Sequence, residues 1–494
     1  MLGTKNKIMV ALKRPLELWM IFSMTTLLIV WALSHTIAAR NIALFSGVAA
    51  ALVWLYIEKP LIHWRATLPA IFLLCVPLWV IFHYQFISTL REQQWDEIDS
   101  TWLRTTFSII LGFCTGLIIH KRPNYFLFFM IGIIILPCIT TVLYFFQVDQ
   151  QNKWILDGFL GVFKGKFSGV YFVTCQILVG FACLSVSFFT SHPLKRIIFG
   201  MGLLGSLLII SGIIDGIAFR ALNLILIASF SALIFMIVVL ITLIYQIVKK
   251  RMKWLPIISC VVISTTLTAT LYNYYLYDKQ HEQKLVNLIS DIKVSTQLEK
   301  NQTWIRDSQS IPWPVDATGK AINGSTYERV SWFIRGIQFI GQNPWGNGIT
   351  HMAFGYYMRD TYSGSKALMT HSGWVDFTLG IGLPGLLFIW TAILFSVLSC
   401  MSYLNQVFSK SAKNDSINEG KNTYSRKTKN SLKSVNQELI AYSGIWLLLG
   451  LAIFWIVGEV SEREYIEHYF FLISFFASVS SCVNLLMNKV NKVI

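Results

Sequence analysis

Residues 369–403 read MTHSGWVDFTLGIGLPGLLFIWTAILFSVLSCMSY, and this stretch decides the fold. A long polar segment ends at His371, and from Val375 the chain is apolar for longer than the roughly 20 residues that cross the hydrocarbon of a bilayer. The stretch therefore predicts a membrane-spanning helix that begins directly after a histidine. Histidine as a residue type takes up a proton near neutral pH. The sequence thus places a titratable group at the rim of a membrane, where a reaction on a lipid-borne substrate needs a base.

The rest of the chain repeats this pattern of long apolar runs. Of 494 residues, 54% are hydrophobic and 13% are charged, whereas soluble domains carry about 25% charged residues. Backbone that crosses lipid must close its own hydrogen bonds, which predicts helices. We therefore expect an all-α polytopic membrane protein with about 12 transmembrane helices. The runs lie at about 16–34, 41–57, 66–84, 102–120, 125–146, 168–190, 197–214, 222–247, 254–273, 375–403, 440–458 and 468–487.

The net charge of +16 has a topological explanation. Basic residues concentrate in alternate short loops, such as Lys121 with Arg122 and Lys195 with Arg196, and cytoplasmic loops carry this excess. The bias predicts that both termini are cytoplasmic and gives no reason to expect a nucleic-acid partner. The eight cysteines all fall in apolar runs, so their spacing indicates neither a disulfide framework nor a metal site.

Two long polar segments divide the spans into regions. The predicted organisation has spans 1–9 in 1–273, a large external loop in 274–374, span 10 in 375–403, a disordered cytoplasmic loop in 404–439, and spans 11–12 with a short tail in 440–494. The cytoplasmic loop is rich in Ser, Asn and Lys, which is typical of disorder.

The external loop contains signals of ordered structure. A capping box at Ser325 to Glu328 predicts a helix that begins near residue 326. Val330, Phe333, Ile334 and Ile337 would form its apolar stripe. Loops of this length that carry structure are more often functional than simple spacers.

Four polar residues are candidates for chemistry. His371 is suited to general-base catalysis, although a loop histidine can equally be solvated or cap a helix. Arg220 lies in a very short external turn, where an arginine either extends to lipid headgroups or binds a phosphate with two hydrogen bonds. Arg329 and Arg335 lie on the predicted loop helix, where surface charges are common. Arg329 borders the predicted stripe and Arg335 lies nearly opposite.

At this point the chain resembles the O-antigen ligase and polymerase superfamily of bacterial envelope enzymes. Ligases of that superfamily carry the motif His-[Asn/Ser/Gln]-x9-Gly-x-x-[Gly/Thr/Tyr] at the end of a large periplasmic loop. His371, Ser372, Gly382 and Gly385 match every fixed position. The resemblance extends to the arrangement of about twelve spans around one large loop, and it implies a GT-C-like helical fold.

The resemblance also implies that periplasmic arginines bind the diphosphate of the donor. Arg220 matches an Arg-x3-Leu pattern that ends at Leu224. Arg329 is the best match for the second arginine, although its fourth following residue is Phe333, and Arg335 is the substitute. His371 would be the general base.

By this resemblance the protein is an inverting, metal-independent glycosyltransferase without a cofactor. It would be an O-antigen ligase of the bacterial inner membrane, transferring polysaccharide from undecaprenyl diphosphate to a sugar hydroxyl of lipid A-core on the periplasmic side. An O-antigen polymerase or a protein O-oligosaccharyltransferase of the same superfamily is the closest alternative. A transporter of lipid-linked glycans is an alternative of another class. The sequence shows neither the internal repeats nor the midplane charges typical of transporters.

Overall fold

The computed structural model describes most of the chain. The described ranges are 2–60, 64–151, 163–190, 194–218, 228–237, 287–305, 312–417, 424–458 and 463–481, with isolated positions between 239 and 279. Within them the regular secondary structure is helical, apart from one antiparallel bridge between Val315 and Ala321. The prediction of an all-α fold is confirmed.

Fifteen α-helices lie within the described residues, and the π-helical stretch Ile98–Trp102 joins the fourth and fifth. In chain order they are α1 (Leu2–Val30), α2 (Ile37–Glu58), α3 (Trp64–Phe86), α4 (Arg91–Glu97), α5 (Leu103–Lys121), α6 (Phe126–Gln151), α7 (Lys166–Phe189), α8 (Lys195–Ala218), α9 (Ala228–Ile237), α10 (Leu288–Ser295), α11 (Gly324–Gln342), α12 (Ala353–Thr361), α13 (Gly373–Ile417), α14 (Tyr424–Val457) and α15 (Arg463–Ser481).

Among the residues described, 8 helical stretches are long and apolar enough to cross a membrane. They are α2, α3, α4 with α5, α6, α7, α8, α13 and α14. The protein is therefore a multi-pass membrane protein. The predicted runs 222–247 and 254–273 lie largely outside the described residues, so the number twelve stays a prediction.

Small residues allow the central helices to approach closely. On α5, a Cβ atom added to Gly112 would lie 2.6 Å from the carbonyl oxygen of Phe471 on α15. A Cβ on Gly116, one turn further, would lie 2.5 Å from the carbonyl oxygen of Phe475. Membrane helices lack a hydrophobic drive to associate and rely on such close packing. Residues 465–480 of α15 are all buried, so this helix lies inside the bundle.

Ion pairs accompany α15 into the bundle. Glu467 is fully buried and forms an ion pair with Arg104: Nη2 donates to Oε2 at 3.0 Å, and Nε lies 3.0 Å from Oε1. Trp31 Nε1 donates to Glu467 Oε2 at 3.1 Å. Glu464 accepts from Arg40 Nη1 at 2.6 Å. Buried charges are tolerated only when paired and hydrogen-bonded, so these two arginines are engaged by carboxylates of α15.

The polar segment before α13 has a core of buried side chains that it shares with α13. Its buried side chains include Trp304, Tyr327 and Phe354, and they form one cluster with Val375 and Leu379 from the first two turns of α13. The polar segment before His371 is therefore an ordered helical unit over 287–305 and 312–372. We call this segment the site unit.

Two predictions for α11 are wrong in detail. The helix begins at Gly324 because Asn323, rather than Ser325, is its N-cap: the Asn323 side chain accepts from the backbone N–H of Thr326 at 3.1 Å. The expected apolar stripe is confirmed only in part, since Phe333 and Ile334 pack against the core whereas Ile337 is 49% exposed. The most buried positions are Tyr327, Ser331, Gly336 and Phe339.

This buried face of α11 is determined by close contacts with its neighbouring helices. A Cβ on Gly336 would lie 2.6 Å from Val375 and 2.7 Å from Thr370, and Ser331 Oγ donates to the carbonyl oxygen of Ser295 at 3.2 Å. Small residues let α11 approach α10 and α13 closely. Apolar periodicity does not predict this packed face, because Gly336 and Ser331 do not carry apolar side chains.

The segment 404–439, predicted to be a disordered loop, is helical over its described part. α13 continues to Ile417 and α14 begins at Tyr424, while 418–423 lie outside the described residues. Extension of an existing helix avoids the cost of nucleation, so a polar sequence can continue a helix that the membrane-spanning part has already formed.

Candidate active site

His371 lies where the site unit meets α13. Its backbone is in the left-handed region, with φ 62°, which residues other than glycine rarely adopt. The half-buried imidazole stacks on Trp332 of α11, with ring centroids 5.6 Å apart and an interplanar angle of 19°. Trp332 is itself fixed, because its Nε1 donates to the carbonyl oxygen of Trp304 at 2.9 Å. Strained backbone of this kind concentrates at functional sites.

Hydrogen bonds on both sides of His371 hold this conformation. The buried carboxylate of Asp376 accepts from Thr370 N at 2.9 Å and 3.2 Å. Asp376 N donates to the carbonyl oxygen of Ser372 at 2.9 Å. Gly373 N donates to the carbonyl oxygen of Gly458 at 2.9 Å. The residue after α14 therefore accepts from a backbone N–H at the start of α13, which has no partner within its own helix. The first turn of α13 therefore fixes the position of the histidine.

The motif glycine Gly382 breaks α13 one short segment later. Its φ of 72° and ψ of 178° are outside the helical region, in a conformation that is essentially restricted to glycine. A Cβ at this position would overlap the carbonyl group of Trp345 and approach the carbonyl oxygen of Pro344. Gly385 is in the resumed helix, where a Cβ would collide with the Ile381 side chain.

The turn Asn343–Gly348 occupies this break and pairs with it. Leu383 N, which would have bonded within the helix, donates to the carbonyl oxygen of Pro344 at 2.8 Å. In the opposite direction, the backbone N–H groups of Asn347 and Gly348 donate to the carbonyl oxygens of Leu379 and Gly380 at 2.9 Å and 2.8 Å.

The last freed carbonyl group belongs to Ile381, and it accepts from Trp79 Nε1 of α3 at 2.6 Å. Buried backbone groups must find partners, and these four groups beside the break have them. The turn therefore attaches the site unit to α13 through backbone hydrogen bonds.

The candidate arginines occupy different surroundings. Arg329 is exposed, one turn before Trp332 on α11. Arg335 is half-buried: its Nη1 donates to Gln338 Oε1 at 2.7 Å, and its guanidinium lies 4.6 Å from the ring centroid of Phe339. Arg220 lies outside the described residues. The structure thus brings Arg329 near the aromatic partner of His371, and it places Arg335 against aromatic rings.

Two tyrosines brace the site unit. Tyr357 accepts from Asn343 Nδ2 at 2.7 Å, and burial raises the pKa of Tyr357 to about 12. Burial likewise raises the pKa of Tyr327 to about 12, and Tyr327 donates to the carbonyl oxygen of Asn301 at 2.7 Å. Both phenols are neutral at physiological pH and serve as hydrogen-bonding groups.

Sequence reasoning missed several residues that shape the site. Asp376 and Trp79 were not singled out, and the contact of Trp332 with His371 was not anticipated. An acidic residue in the first turns of a helix is a weak signal for Asp376. No local pattern marks the contacts of Trp79 and Trp332, which join distant segments.

These features define a polytopic, all-helical membrane protein in which an ordered polar unit presents a constrained histidine at the start of a long apolar helix. Residues 216–390 match the family model described as O-antigen ligase. This match supports membership of the O-antigen ligase and polymerase superfamily, whose members are glycosyltransferase-like enzymes. The match contains every candidate site residue. No curated protein matches the chain.

Proposed function

We propose that the protein is an O-antigen ligase, which transfers polysaccharide from undecaprenyl diphosphate to a sugar hydroxyl of lipid A-core. The observation that carries the proposal is the constrained His371, held in a left-handed turn by α13 and stacked on Trp332. This site lies inside the region that matches the ligase family. The mechanism is inverting and needs neither a metal ion nor a cofactor.

The residues have distinct roles in this mechanism. His371 takes the proton from the acceptor hydroxyl as that oxygen attacks the anomeric carbon. The bond from this carbon to the diphosphate oxygen breaks, and undecaprenyl diphosphate leaves as an anion. Arg220 and Arg329 hold the diphosphate and stabilise its developing charge, with Arg335 as the substitute for Arg329. The exposure of Arg329 favours it over Arg335, whose guanidinium is packed on aromatic rings.

The proposed setting is the bacterial inner membrane. Both termini would be cytoplasmic and the site unit periplasmic, as the distribution of basic residues predicts. The proposed domain boundaries are 1–273, 274–374, 375–403, 404–439 and 440–494. The site unit would then meet both lipid-borne substrates at the membrane surface.

Replacement of His371 tests the general base. Purified wild-type protein and the His371→Ala variant would be assayed with a lipid-diphosphate glycan and lipid A-core. We expect the variant to lose about 10²–10⁴-fold in kcat, the usual worth of general acid–base catalysis. His351→Ala is the matched control, since His351 is another half-buried histidine of the site unit. Transfer at the wild-type rate by His371→Ala would contradict the role assigned to His371.

Replacement of the arginines tests diphosphate binding. A charge-assisted hydrogen bond contributes about 1.5–3 kcal/mol, so Arg329→Ala should lower kcat/KM by about 10–100-fold. Arg359→Ala is the control, because Arg359 is also exposed and lies against Tyr356. If Arg335→Ala is impaired and Arg329→Ala is not, the second diphosphate contact must be reassigned.

The choice of acceptor separates the ligase from its relatives. Wild-type protein would be offered lipid A-core, a second lipid-linked glycan, or a peptide. Transfer to lipid A-core supports the ligase, whereas transfer only to the second glycan or only to the peptide would identify a polymerase or a protein O-oligosaccharyltransferase. Movement of intact lipid-linked glycan across proteoliposomes without transfer would identify a transporter.

A further inference from the structure

Glu97 is a buried carboxylate at the junction of α4 and α5. Its side chain is 4% exposed, and burial of an ionised carboxylate is costly unless several donors satisfy it. Three donors do so: Thr350 N and Thr350 Oγ1 each bond Oε2 at 2.8 Å, and His351 N bonds Oε1 at 2.7 Å. One acidic side chain of the membrane bundle therefore holds two consecutive residues of the site unit.

The anchored residues directly follow the turn that fills the break in α13. A Cβ on Gly380 would overlap the carbonyl oxygen of Ile349 and lie 3.0 Å from the Cα of Thr350. The segment at 349–350 is thus enclosed between Glu97 on one side and the Gly380 backbone on the other.

A second chain of contacts leads from this anchor toward His371 from the opposite direction. Residues 350–351 are followed by Met352 in a left-handed conformation and then by α12. Near the start of α12, Gly355 N donates to the carbonyl oxygen of Leu368 at 3.1 Å. Leu368 precedes His371 by three residues. The anchor is therefore connected to the chain both before and after the histidine.

Neighbouring residues of the bundle contact the same turn. Gln94, one turn before Glu97, is fully buried, with Oε1 3.3 Å from His83 Nδ1 and Nε2 donating to the carbonyl oxygen of Val80 at 3.0 Å. His83 Nε2 lies 3.3 Å from the carbonyl oxygen of Gly346. The π-helical stretch Ile98–Trp102 follows at once, and such insertions concentrate at functional sites. Gln94 and Glu97 thus present one face of α4 to the site unit.

We propose that Glu97 is a positioning residue for the transfer reaction: its carboxylate fixes Thr350 and His351, and through them the His371 turn, relative to the membrane bundle. The proposal rests on the proposed function for its catalytic consequence, but its structural part is independent of it. Displacement of a catalytic group by about 1 Å costs on the order of 100-fold in rate. The effect should therefore fall on kcat more than on KM.

The test compares Glu97→Gln with Asp96→Asn in the full-length protein. Glutamine keeps the shape of Glu97 but turns an amide NH2 toward one of the three donors. Asp96→Asn removes an equal charge from the adjacent, exposed position. We expect Glu97→Gln to lower kcat by about 10–100-fold with KM for the lipid-linked donor changed less than about three-fold. Asp96→Asn should match the wild type.

Hydrogen–deuterium exchange supplies a readout that does not depend on activity. The amides of Thr350 and His351 bond Glu97 directly, so peptides covering 343–371 should exchange at least about ten-fold faster in Glu97→Gln. Wild-type exchange and wild-type kcat in this variant would overturn the proposal. So would a variant that folds in lower yield but keeps kcat per folded molecule. If the wild type transfers glycan to no acceptor, the proposed function fails while exchange still decides whether Glu97 positions the segment.

Discussion

The break at Gly382 leads to a quantitative prediction for Gly382→Ala. The backbone there has φ 72° and ψ 178°, and an L side chain in such a region costs about 1–3 kcal/mol. A Cβ would also overlap the Trp345 carbonyl group, so the turn Asn343–Gly348 must move. Expulsion of the turn would break three backbone hydrogen bonds, each worth about 0.5–1.5 kcal/mol. We expect a total loss of about 3–7 kcal/mol.

Thermal unfolding of the purified protein in detergent measures this loss, and exchange at the amides of residues 347 and 348 localises it. Gly341→Ala is the control, since Gly341 lies in α11 and a Cβ there meets nothing within 4 Å. Alanine in an open helical position should stabilise by about 0.5–1 kcal/mol. A Gly382→Ala protein that unfolds at the wild-type temperature and keeps slow exchange at these amides would refute the reasoning.

Three further perturbations test other parts of the structure. Asp376→Asn weakens the charge-assisted bonds to the Thr370 amide and should cost about 1–2 kcal/mol in denaturant unfolding, with a parallel loss of transfer; an unchanged midpoint would argue against this anchor. Gly116→Val should prevent close approach of α5 and α15 and sharply reduce the yield of folded protein, whereas Gly200→Val, where a Cβ meets nothing within 4 Å, should fold normally. Burial raises the pKa of Tyr357 to about 12, so its contribution to stability should be complete below about pH 10 and lost as pH rises through about 12. Tyr357→Phe should flatten that alkaline loss in a pH series of unfolding midpoints, and an identical slope in both proteins would contradict it.

The membrane class and the position of the motif were predictable because each depends on local sequence. Apolar runs follow directly from the thickness of the bilayer, and they mark α13 and the other long helices. The histidine at the start of α13 could be found from its motif and its place after a polar segment. The N-cap of α11, Asn323, was missed by two residues because Ser325 offers a competing capping signal.

The geometry of the site could not be predicted, because it depends on contacts between distant segments. Gly382 looks like a flexible hinge in the sequence, but its role is to admit the carbonyl groups of a turn nearly forty residues earlier. Glu97 looks like one of several acidic residues in a loop, but its partners are far along the chain. Such pairings have no local periodicity, and only folding of the whole bundle brings them together.

The core shared by the site unit and α13 has a consequence for how the protein is made. Val375 and Leu379 complete the cluster around Tyr327 and Phe354, so the boundary between loop and membrane helix is not a folding boundary. During synthesis the polar unit emerges first and lacks part of its interior until α13 has entered the lipid. Assembly of the site is therefore coupled to membrane insertion, and an excised loop or a loop exchanged between relatives without its helix would lack the residues that close its core.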